Sequence, residues 1–162
     1  MPDTNDRLKN LEAWKMKKDL EERVKLDMAK EHERNLVRDI EALWPRGKAI
    51  IDLYNACLDA GVKFPKHDVW SNDWTNKFFS NAWSHWLGVG HSNTEQCRGA
   101  DGKYVNAISI RGGGACYYEI DLYDGVLHYS GSDAIRRMEN FVNEFTKFET
   151  EFYEWFDKTT TA

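Results

Sequence analysis

The chain has 162 residues, a formal charge of -5 and a pI near 5.6, with 30% charged and 14% aromatic residues. That length suits one domain whose core needs no disulfide or metal to staple it, and the aromatic content excludes a disordered chain. The acidic balance argues against direct nucleic-acid binding, and no stretch approaches the roughly 18 apolar residues of a membrane span.

The amino terminus, MPDTNDRLKN, lacks the apolar core of a signal peptide, so a soluble cytoplasmic protein is expected. Cys57, Cys97 and Cys116 form neither an even set nor a CxxC pair, which fits reduced thiols rather than a disulfide framework or zinc knuckle.

From about Asp6 to Trp44 there is no Gly or Pro, and Lys, Glu, Leu, Arg and Ala favour one long helix. Residues 1–40 carry ten acids and ten bases. Residues 1–25 read as a charged helical extension with a broken apolar stripe (Leu8, Leu11, Leu20, Val24). From Leu26 the pattern tightens through Ala29, Leu36, Ile40 and Leu43, so the core is expected to begin near Leu26. Pro45 disfavours helix at Trp44 and suits the first turn of a second helix, which Gly61 stops. On that helix Ile50, Ile51, Leu53, Tyr54, Cys57 and Leu58 form a broad buried face, with Cys57 as a small core filler.

Residues 62–132 change texture: glycines gather, helical periodicity stops, and aromatic and β-branched residues alternate with polar ones. Strands are predicted at about 78–86, 105–111, 115–122 and 126–129, with Asp124 and Gly125 turning between the last two. Alternation puts Cys116, Tyr118, Ile120 and Leu122 on one face and Tyr117, Glu119 and Asp121 on the other. A final helix over 133–158 carries Met138, Phe141, Phe145, Phe148, Phe152 and Trp155 at spacings of three and four, beside a second stripe of Ile135, Val142 and Phe156. It holds seven acids against four bases. The expected class is α+β: a long N-terminal helix, a second helix, an antiparallel sheet of three or four strands, and a long aromatic C-terminal helix.

The sequence offers residues for three chemistries. Arg111-Gly112-Gly113-Gly114-Ala115-Cys116 precedes a strand, whereas a phosphate-binding loop needs a helix there, so it reads as a tight connection or bulge whose backbone is crowded by a neighbouring ring. Cys116 with His85 or His128 and an acid such as Asp121 supplies residue types for a thiol nucleophile. The five histidines include no HxH, HxxxH or HExxH pair, so neither a metal nor a cofactor is expected. Rings at Trp70, Trp74, Phe78, Phe79, Trp83 and Trp86 fit neither one helix face nor one strand face, and such rings commonly anchor protein interfaces.

HERNLVRDIEALWPRGKAIIDLYNACLDAGV, NAWSHWLGV and GGGACYYEIDLYDGV, followed by the aromatic acidic helix, resemble short proteins of phages and mobile elements of Firmicutes. The resemblance covers most of the chain and implies a bacterial host cell, with no catalytic residues to carry over. In build such proteins are similar to inhibitors of host defence, anti-CRISPR proteins among them. The leading expectation is therefore a non-enzymatic inhibitor that blocks a host protein such as a nucleic-acid-binding nuclease. Trp70, Trp74 and Trp83 would anchor it, and Glu144, Glu151, Glu154 and Asp157 would meet a basic channel. A small-molecule enzyme using Cys116 is the alternative, and a self-assembling helical protein or homodimer the third.

Overall fold

The computed structural model describes residues 3–62, 76–82, 85–90, 105–112 and 118–161. Compactness divides the chain into two units, Met1–Asn35 and Leu36–Ala162.

Helix α1 runs over Thr4–Glu41. Asp3 caps it, its Oδ1 accepting from the Asp6 N–H at 2.9 Å. Residues 4–32 are all exposed, and the first buried side chain of α1 is Ile40, with Leu36 and Val37 half-buried before it. The core thus begins at Leu36 and not near Leu26, which is 56% exposed. Periodicity identifies a stripe without saying whether anything covers it.

Helix α2 (Trp44–Asp59) opens with Pro45 in its first turn. It ends in a Schellman motif: the Val62 N–H donates to the Cys57 carbonyl at 2.9 Å and the Gly61 N–H to that of Leu58 at 3.1 Å. Gly61 takes φ +77° to make that turn. Ile50, Ile51, Tyr54 and Cys57 are buried, as the pattern predicts.

The sheet is an antiparallel meander in chain order: β1 (Asn76–Ala82), β2 (His85–Gly90), β3 (Ala107–Gly112), β4 (Tyr118–Tyr123) and β5 (Val126–Ser130). The stretch expected as one strand over 78–86 is divided between β1 and β2, which pair with Ala82 opposite His85, so the sheet has five strands among the described residues. Asp124 at φ 51° and Gly125 at φ +79° form the two-residue turn into β5.

Register aligns Ile108 with Leu122 and Ile110 with Ile120, and Leu122 in turn with Leu127. This apolar face receives the helices. Gly47 of α2 lies so close to it that an added Cβ would meet Ile108 at 3.1 Å. Gly112 faces Tyr118 in register, and a Cβ there would collide with the Tyr118 ring. The glycine run is thus, at its described end, a backbone crowded by an aromatic ring.

The expected last helix is two: α3 (Ala134–Met138) and α4 (Phe141–Thr160). The apolar register survives the break. Met138, Phe141, Phe145, Phe148 and Phe152 are all buried, while Val142 of the second stripe is 38% exposed. Helix α2 packs on β3 and β4, α3 on β4, and α4 on β1 and β2. Burying each phenylalanine contributes about 1.5–3 kcal/mol, so α4 is a principal source of cohesion.

Polar groups close the edges. The Glu41 carboxylate accepts from the Leu127 N–H on edge strand β5 at 2.8 Å. Asn55 exchanges two hydrogen bonds, each 3.1 Å, with the Val105 backbone and so fixes the approach to β3. Arg46 grips Glu149 with both arms of its guanidinium, at 3.0 and 2.6 Å, and lies over the Phe145 ring. No helix among the described residues is long and apolar enough to cross a membrane.

Candidate functional site

The four phenylalanines fix the rotation of α4 and thereby decide where its acids point. At its C-terminal end Glu151, Glu154, Trp155, Asp157 and Lys158 line an open depression of about 680 Å³. Trp155 is half-buried, its ring 5.7 Å from that of Phe152. An indole held by the core therefore shares this depression with three carboxylates and one ammonium. Partial burial, reinforced by the neighbouring Glu154 carboxylate, pushes the Glu151 carboxyl above its ordinary range, with Lys147 pulling the other way. Two like charges side by side on this exposed end of the helix favour a cation from outside.

Glu144 does not belong to this group. It is half-buried and acts electrostatically on Tyr118, whose ring also carries the Arg137 guanidinium at 4.8 Å. Burial pushes the Tyr118 hydroxyl up to about 12 against the pull of Arg137. Asp133 holds Arg136 at 2.9 and 3.1 Å and Arg137 at 3.2 Å, and the Arg136 hydrogen bond is the main reason its carboxyl lies below the ordinary range. Helical spacing groups Glu144 with Glu151. Contacts from β4 and α3, invisible in that spacing, separate them.

A second constellation crosses the other face of the sheet. Ser109 on β3 lies opposite Asp121 on β4, which lies opposite His128 on β5. Ser109 and Asp121 are buried and His128 half-buried, and the Ser109 hydroxyl has no hydrogen-bond partner among the described residues. Alternation places Asp121 on the polar face; its burial there comes from tertiary packing.

Trp70, Trp74, Trp83 and Cys116 lie outside the described residues. His85 is on β2 opposite Gly112, whereas His128 is on β5, so two strands separate the histidines proposed as bases. Cys57 is a buried free thiol, pushed up by burial and thus poorly nucleophilic. Among the described residues no group of three or more His, Cys, Asp or Glu side chains is placed to hold a metal ion. Residues that spacing did not single out for the site are Trp155, read as core, and Lys158; their signal was adjacency to Glu151 and Glu154.

No protein-family model, no curated protein and no solved structure matches this chain.

Proposed function

We propose that this protein is a non-enzymatic binding protein that occupies a basic surface of a host macromolecule, in the manner of an inhibitor of a defence nuclease encoded by a mobile element. The observation that carries this reading is the end of α4, where Glu151, Glu154 and Asp157 line one depression with Trp155 on a helix anchored by four fully buried phenylalanines. An aromatic anchor in a depression where three carboxylates outnumber one ammonium suits a partner groove lined with Lys and Arg, as nucleic-acid channels are. Preorganisation favours binding, because the helix need not order itself on contact. Glu144, turned toward Tyr118, falls outside the contact set.

The test is a tagged protein expressed in a Firmicutes host, with copurifying proteins identified by mass spectrometry at low and raised salt. A stoichiometric nucleic-acid-binding protein is expected, released by salt and lost when Glu151→Gln, Glu154→Gln and Asp157→Asn are combined in a chain whose circular dichroism is unchanged. Retention of the partner by that triple variant would overturn the reading.

pH gives a second readout. A bound cation lowers the carboxyl pKa of Glu151, so protonation competes with the partner. Binding should weaken as pH falls into the range where Glu151 takes up its proton, and Glu151→Gln should flatten that dependence.

A further inference from the structure

Considered by itself, the segment of α1 before Leu36 poses a problem of physical chemistry. Residues 4–32 are helical and all exposed, and they include Leu8, Leu11, Trp14, Met16, Leu20, Val24, Leu26 and Met28, each 47–73% exposed. Isolated helices draw little stability from propensity alone, and most helices in proteins rest on a covered apolar face. Lys18 over the Trp14 ring, at 5.6 Å, covers only part of one indole.

At about 100° of rotation per residue, Ala13, Met16, Leu20 and Val24 share one face within about 80° of arc, and Lys9 and Asp27 extend it at either end. Met16, Lys17, Asp19, Leu20 and Arg23 line an open depression of about 460 Å³ on that surface. The face is self-complementary in reverse. Lys17 and Glu21 stand together on one flank of this face, and Lys9 and Asp27 lie on it, with the bases before its centre and the acids after. A twofold axis between Lys18 and Asp19 would set Ala13 level with Val24 of a second copy. Met16 would fall within one residue of its Leu20, Lys17 within one residue of its Glu21, and Lys9 within one residue of its Asp27. The apolar stripe and the charge boundary share this centre. A parallel pair would instead oppose basic to basic and acidic to acidic.

We infer that residues 9–27 of α1 pair antiparallel with the same residues of a second copy of this chain, about an axis between Lys18 and Asp19. The contact is isologous and therefore closes as a dimer. Met16 and Leu20 form its centre, and its charges fix direction and register as flanking charges do in coiled coils. The inference is independent of the acidic end of α4.

Sedimentation of the full chain tests it. The wild type is expected to sediment at twice the monomer mass at low salt and to shift toward monomer as salt rises. A chain with Lys9→Glu and Lys17→Glu, and another with Glu21→Lys and Asp27→Lys, should each be monomeric and should form a heterodimer when mixed. Circular dichroism confirms that each variant folds. Photoreactive benzoylphenylalanine at position 13 should crosslink to residues near Val24 of the other copy. A wild-type monomer, a dimer that survives in either charge variant, or crosslinks centred on position 13 of the other copy would each overturn the proposal.

Discussion

The two ends of the chain are both helices rich in large apolar side chains, and the structure treats them in opposite ways. On α4, Phe141, Phe145, Phe148 and Phe152 are all completely buried. On α1, every residue from Thr4 to His32 is exposed, Met16 at 73% and Met28 at 67%. Apolar content does not explain the difference, because both segments hold enough of it. Angular concentration does: the phenylalanines fall on one narrow face that a sheet can cover, whereas the apolar residues of α1 are spread around the cylinder and interleaved with charge. A helix of the first kind builds a core within its own chain. One of the second kind is left with a surface for something else to use.

The largest effect expected from this contrast comes from truncating each surface in turn. Phe148→Ala removes a ring from a filled core and should cost about 3–5 kcal/mol in urea unfolding. Leu20→Ala, on the exposed helix, should change the stability of the Leu36–Ala162 unit by less than about 0.5 kcal/mol. Equal losses would mean that the two helices do not differ as described.

An intermediate effect is expected where the core meets the sheet. Gly112→Ala places a methyl group in the Tyr118 ring and should cost about 1–3 kcal/mol, the usual range for overpacking. In a Tyr118→Ala background the same substitution should cost far less, so a double-mutant cycle measures the clash directly. Additive losses would show that Gly112 serves the strand in another way.

The smallest effect sharpens the rim of α4. Arg46→Ala breaks the forked pair with Glu149, but the Arg46 side chain is 45% exposed, and the expected loss in thermal or urea unfolding is only about 0.5–1 kcal/mol. A loss as large as that of Phe148→Ala would make this pair, rather than the aromatic face, the anchor of α4.

Much of the fold was legible in the residues themselves. The spacing of three and four from Met138 to Phe152 named the buried face that α3 and α4 share, Pro45 and Gly61 marked the ends of α2, and Asp124-Gly125 marked the hairpin turn. Each is a local signal, set by helical period or by the backbone angles a residue permits, and it needs no distant partner to be read. The candidate site was less legible. Glu151, Glu154 and Asp157 could be picked out as acids of one helix, but nothing local told them from Glu144, whose setting depends on Tyr118 and Arg137.

Tertiary structure alone decided the remaining points. It moved the start of the core from Leu26 to Leu36, buried Asp121 and Ser109 on the face that alternation marks as polar, and brought Arg46 to Glu149 across 103 positions of sequence. The reason is the same in each case. A sequence pattern fixes which side chains share a face, because that follows from the geometry of one element. Whether the face is covered depends on a second element, and its identity enters only when the chain has folded.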